Sequence, residues 1–401
     1  MQKLIFCGYL IPQEETGCYK GVSIAGNKMQ WNIIKNLAKS DLYDIECLTI
    51  SPLASFPKQK VFYQNREKVE LIDNVYVTKI PYINLPVVKQ YLQIKATTNS
   101  LCRLLSKYPD AIILSFNLFP QIGVPLRKIK KKFPKCNIVS ILADLPIDDN
   151  THRKGFSKIL RKRFDNSTWK SIQLCDNFIV LNEYVAKTYF PKKNYLVIDG
   201  GVAEEDIQEF VVNLKKEKNI LFSGALTEYN GIIPLLQAME IISNKDIKLD
   251  IYGGGYLEEY VLNFAKNHSN VIFHGKVNNK EMLQRQRDAW LLINPRIENN
   301  LISKVTFPSK TFEYMLSGTP ILSTRLNGYS EEYFDKMYFI EECSAVGIAK
   351  AIDGILELDE QQLIYTAKKA YDFVVEKRTW KKQTEKIIEF LTVINDDDAN
   401  K

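Results

Sequence analysis

The second half of the chain alternates short apolar runs with helical periodicity, and few folds accommodate that rhythm. Asn219–Ala225, Lys248–Tyr252 and Val271–Gly275 read as strands. Gly231–Ile242, Tyr256–Ala265 and Asn279–Arg285 read as the helices between them. Leu291, Leu292 and Ile293 end a further strand, which runs into Asn294-Pro295-Arg296. Strands alternating with helices of this length predict a parallel sheet with right-handed crossovers. Pro308-Ser309-Lys310 then opens a helix, because proline suits a first turn. Phe312, Met315 and Leu316 lie three and four apart and form one apolar stripe. Gly318 ends that helix, and Pro320–Thr324 is the next strand. A helix N-terminus at the carboxyl edge of such a sheet offers free N–H groups and a dipole to an anion. Glu313, one turn in, can reach a ligand hydroxyl beside it.

At 401 residues the chain predicts two domains rather than one core. Its composition, 45% hydrophobic and 25% charged, is that of a globular protein, and no run is long and apolar enough to predict a membrane span. The opening MQKLIFCGYLIPQEE lacks the pattern of a secretory signal. Seven scattered cysteines without a CxxC pair fit reduced thiols of a cytoplasmic protein. Three histidines, at 152, 268 and 274, make a zinc site an unfavoured reading. Charge divides unevenly: residues 1–200 hold 30 Lys and Arg against 16 Asp and Glu, and residues 201–401 hold 24 against 31. The basic half suits an anionic membrane surface better than nucleic acid, since no helix-turn-helix, zinc-finger or RRM pattern accompanies the charge.

In that half, Leu4–Leu10 is a short buried strand. A small-residue loop from Cys18 to Asn27 follows, and then a helix bearing Trp31, Ile34 and Leu37. Strand, glycine loop and helix is either a phosphate-loop geometry or an ordinary turn. Asn137–Leu142 delivers Asp144 at a strand's carboxyl end, where sheet enzymes place chemistry. Asp144 is there a base, a ligand for an acceptor hydroxyl, or a turn residue before Pro146. From His152 to Lys170, Phe156, Ile159, Leu160 and Phe164 keep helical spacing among many Arg and Lys. That pattern suits either an anionic lipid surface or a core helix with a solvated basic face. Gly253-Gly254-Gly255 either admits a close ligand or makes a tight turn.

The string PSKTFEYMLSGTPIL, with Gly328 and Glu331 after it, resembles the nucleotide-sugar signature of glycosyltransferase family 4, in its bacterial surface-polysaccharide branch. The resemblance implies an α/β GT-B fold. Two Rossmann-like parallel-sheet domains would face each other across a cleft, with the C-terminal helix crossing back to the first. It implies an N-terminal acceptor domain at 1–202 completed by 379–401, a linker at 203–218, and a nucleotide-sugar domain at 219–378. The activity implied is retaining transfer from a nucleotide-diphosphate sugar, UDP-linked, to a lipid-linked or oligosaccharide acceptor, peripherally at the inner face of the membrane and without a metal or other cofactor.

For the donor, the resemblance implies Gly26 and Asn27 in the first domain's loop. In the second it implies Gly224, Gly254, Ser309, Lys310 and Glu313, the last on the ribose hydroxyls. Glu298 stands for the family's first glutamate, toward the sugar, and Asp144 near its catalytic histidine. The sequence departs from the family where Ala225 follows Gly224 and Asn230 precedes Gly231, since an Arg and a Lys usually stand there. Arg296 and Lys310 are the cations expected to replace them. Without such replacement the chain reads instead as an accessory subunit supporting a partner glycosyltransferase.

Overall fold

The computed structural model describes residues 1–19, 21–72, 74–147, 155–211, 217–298 and 301–399. His152, positions 153–154 of the basic stretch and positions 212–216 of the expected linker lie outside the described residues. The chain forms two compact units. One comprises Met1–Leu181, Val185–Asp199 and Trp380–Lys401; the other comprises Asn182–Tyr184 and Gly200–Thr379. Both are α/β units with parallel sheets.

The first unit holds an eight-stranded sheet. Its order is Asn194–Val197, Asn177–Val180, Ile138–Leu142, Ile112–Phe116, Gln2–Gly8, Tyr43–Thr49, Val75–Lys79 and Glu67–Ile72. Every pairing but the last is parallel. Ile112–Phe116, Ile138–Leu142 and Asn177–Val180 are buried at every position, so they read as continuous apolar runs, with no alternation. Glu67–Ile72 escaped the sequence reading because it is an edge strand, where Glu67, Lys68 and Glu70 are exposed without cost.

The closing helix, Trp380–Ala399, completes this unit. Trp380, Ile387, Leu391 and Ile394 are each 5% exposed or less and share one cluster with Leu4, Leu10, Ile33 and Leu37. Each such side chain stabilises the unit by roughly 1.5–3 kcal/mol.

The second unit has a six-stranded, wholly parallel sheet. Its order is Val271–Gly275, Lys248–Gly254, Asn219–Ala225, Leu291–Asn294, Ile321–Thr324 and Tyr338–Ile340. The chain winds outward one way from Asn219–Ala225 and returns to build the other way from Leu291–Asn294. Sheets of this kind bind ligands beyond the carboxyl ends of the strands at such a reversal. The first unit reverses likewise between Gln2–Gly8 and Ile112–Phe116. Positions 203–211, expected as linker, instead pack on the second unit: Phe210 lies 5.4 Å from the Tyr371 ring, and Tyr371 donates to the Gln208 carbonyl. No helix among the described residues is long and apolar enough to cross a membrane.

Candidate active site

In the second unit, two helices bring side chains to Ser223, near the carboxyl end of the strand Asn219–Ala225. Lys310 Nζ donates to Ser223 Oγ at 3.2 Å, and Gln286 Nε2 donates to the same oxygen at 3.4 Å. The Ser223 N–H donates to Tyr314 Oη at 3.1 Å. Burial drives the Lys310 pKa down, partly offset by Glu313 through space. Lys310 opens the helix Lys310–Leu316, so Glu313 falls one turn along, as the sequence predicts. Ser309 caps that helix with αR backbone and no side-chain capping bond. The helix has only seven residues, so its dipole is short and the cation at its head carries more of the field.

Arg296 follows the strand Leu291–Asn294 through Pro295 and is 8% exposed. Its Nη2 donates to Thr306 Oγ1 at 3.1 Å, and its guanidinium lies over Tyr229, 5.4 Å from the ring centre. Nε has no hydrogen-bond partner among the described residues. Burial lowers the Arg296 pKa, while Tyr229 and Tyr329 push it back. One buried cation and one half-buried cation thus stand in one unit, neither in ion-pair contact with a carboxylate among the described residues. A buried charge without a counter-charge is costly, and an anionic ligand removes that cost. Glu298, on the same loop, keeps a buried Oε2 without a partner.

The glycines serve different ends. Gly231 has φ +71, and a Cβ there would stand 1.7 Å from the Pro295 carbonyl oxygen. Only glycine lets the loop before Ile232–Ile241 press onto the turn that carries Arg296. Asn230 does not stand in for the family's lysine: its Nδ2 donates to the Ala225 carbonyl and closes the loop on itself. At Gly224 a Cβ would meet only the Phe222 ring. Beside Gly254 lies the end of the Lys276 side chain, whose Cε would stand 2.3 Å from a Cβ.

The first unit's reversal opens into a cavity of about 290 Å³. Gly26 and Asn27, from the first turn of the helix Ile24–Lys39, line it, and so does Asp144. Asn27 is 3% exposed, its Oδ1 accepts from the Ile11 N–H and its Nδ2 donates to the Ile11 carbonyl, so its amide ties the helix to the loop at Ile11. Asp144 is held by Asn117, whose Nδ2 donates to Asp144 Oδ2 at 3.1 Å. Asn117 Oδ1 accepts from the Ala143 and Asp144 N–H groups. Burial raises the Asp144 pKa, and the bond from Asn117 works against it. Asn117 has φ +56, a left-handed conformation that Asn tolerates better than most residues.

Of the two readings of the basic helix, a core-facing apolar stripe holds at Phe164 but not at Ile159 and Leu160. In Phe156–Leu174, Ile159 and Leu160 are 54% and 41% exposed, whereas Phe164 packs on Phe119 with ring centres 5.5 Å apart. No group of three or more His, Cys, Asp or Glu able to hold a metal ion gathers among the described residues.

The fold, two α/β units with parallel sheets, is that of the GT-B glycosyltransferases. Residues 204–371 match the family described as glycosyl transferases group 1, so the second unit carries a group 1 glycosyltransferase domain. No curated protein matches the sequence. Among solved structures, sucrose-phosphate synthase from Thermosynechococcus elongatus is similar at TM-score 0.70 and 14% identity, covering 98% of this chain and 99% of that one. HepE of Anabaena in complex with UDP is similar at TM-score 0.64 and 13% identity, over 98% and 100% of the two chains. A glycosyltransferase from Rickettsia africae gives 0.63 and 12%, over 97% of each.

Proposed function

We propose that this chain moves a hexosyl group from a UDP-sugar to a saccharide acceptor, with retention, and that the acceptor is a lipid-linked or growing surface polysaccharide at the inner face of the cell membrane. The observation that carries the donor assignment is the pair of cations without a paired carboxylate among the described residues: Arg296, buried after the strand Leu291–Asn294, and Lys310, half-buried at the head of its helix and bonded to Ser223. A departing nucleoside diphosphate gathers negative charge. Fixed cations in a dry site stabilise it without reorganising. In this reading they neutralise the diphosphate with no metal, Ser309 and Gly224 border it, Glu313 takes the ribose hydroxyls and Glu298 faces the sugar. HepE in complex with UDP and with UDP-glucose supports uridine as the base. Asp144 takes the acceptor hydroxyl. Ile159 and Leu160, exposed among Lys158, Lys162 and Arg163, support an anionic bilayer surface as the place of work.

Thermal unfolding with UDP, GDP and a panel of their sugars tests the donor half. A bound nucleotide raises Tm by mass action. The expected result is stabilisation by UDP, unchanged in EDTA, with Arg296→Ala and Lys310→Ala each weakening it about tenfold or more. No shift with any nucleotide would sink the proposal. Near-normal binding by both variants would remove these two residues from it.

A further inference from the structure

We infer that the cavity of the first unit takes an acceptor sugar carrying an anionic group, a carboxylate or a phosphate, and that Lys89 at the N-terminus of the helix Val88–Lys107 seats that group. The inference rests on the proposed transferase reading, with the acceptor in this cavity. Lys89 stands in the first turn of a 20-residue helix, whose dipole makes that end positive although the Val88 and Lys89 N–H groups already donate to the Pro86 and Leu85 carbonyls. A cation is disfavoured there, and no acidic residue shares that turn. The preceding Val87 has φ +66, an outlier for a β-branched residue, and gives no side-chain cap. Lys89 Nζ donates to the Leu53 carbonyl at 2.8 Å, which fixes it in the lining of the cavity. Burial lowers its pKa, and no carboxylate among the described residues pairs with it. Helix end and lysine add two positive contributions on one side of the cavity, and Asp144, which Asn117 already holds, is the carboxylate of its lining.

A second observation points to a ligand independently. Gln93, one turn along the same helix, is 3% exposed and lines the cavity, yet its Oε1 has no hydrogen-bond partner. Gln121 Oε1, also in the lining, is buried without a partner. Buried carbonyl oxygens of this kind are normally satisfied, and both lack a donor. Asp144 is the carboxylate of the lining, and it too accepts. Three acceptors and one cation describe a guest with several hydroxyls and one negative charge. A neutral sugar leaves Lys89 unmatched, and a bare anion leaves the acceptors without donors.

The test uses the full chain, as wild type, Lys89→Gln and Lys89→Arg, titrated with glucuronate, glucose 6-phosphate, glucose and inorganic phosphate by calorimetry or ligand-observed NMR. At least one anionic sugar is expected to bind wild type about tenfold more tightly than glucose. Lys89→Gln should abolish that preference and Lys89→Arg should keep it. The tighter of the two anionic sugars identifies the group. Equal binding of glucose, a preference surviving in Lys89→Gln, or inorganic phosphate binding as tightly as the sugar phosphate would each overturn the inference. UDP titrated into the same wild-type samples tests the donor site separately. Were UDP to fail, the transferase reading would fall, while the sugar titrations would still decide what the cavity accepts.

Discussion

Asp144 is a carboxylate that burial makes more reluctant to ionise. Its folded pKa is raised, so its contribution to stability is present below the ordinary carboxylate range and is lost as pH rises through the folded value. Asp144 is exposed, so solvent screens most of the cost of its charge and Asn117 offsets part of the rest. Replacing it with the neutral amide should therefore leave Tm within about 1 °C. The same Asp144→Asn change should lower sugar transfer about a hundredfold, if the carboxylate takes the acceptor hydroxyl. Melting curves and initial rates on one preparation check both. A lower Tm with full activity would make Asp144 the turn residue that its place before Pro146 also allowed.

The elements themselves were largely readable, because buried parallel strands announce themselves as unbroken apolar runs and their helices as three-four spacings. Ile112–Phe116 and Leu291–Asn294 are examples. One element that went unread, Glu67–Ile72, has half its residues charged and owes its existence to its pairing with Val75–Lys79. The site was partly readable. Arg296 and Lys310 stood out as cations beside a proline turn. Ser223, Tyr314 and Asn117 did not, since a serine or tyrosine in an apolar strand or helix carries no mark of the bond it will make across the sheet. Lys89 was invisible for a related reason: only the fold brings the Leu53 carbonyl and Gln93 to one cavity. At this scale the closing helix makes its own prediction. Trp380→Ala empties a place in the first unit's cluster and should cost about 3–5 kcal/mol, read as a fall in the denaturant midpoint. No change in that midpoint would mean that the helix is not holding the core.

For the whole molecule, the uneven charge becomes a statement about surroundings. Residues 1–200 carry a surplus of positive charge and the rest a surplus of negative charge, so an anionic surface attracts one part of the chain and repels the other. Sedimentation with vesicles checks it. Binding should be retained on phosphatidylserine-containing vesicles, be lost on neutral ones or at high salt, and fall about tenfold or more in Ile159→Glu/Leu160→Glu. Equal sedimentation with both vesicle types would contradict the membrane part of the proposed function. The closing helix has one more consequence, for synthesis. The first unit begins at the N-terminus, yet its core needs Trp380, Ile387 and Leu391, the last of which lies ten residues before the chain's final one. Domains usually fold in the order in which they emerge. Here the first unit must wait with its apolar strands incompletely covered until residues 380–394 emerge, and the second, whose residues are all made by then, can be complete before it.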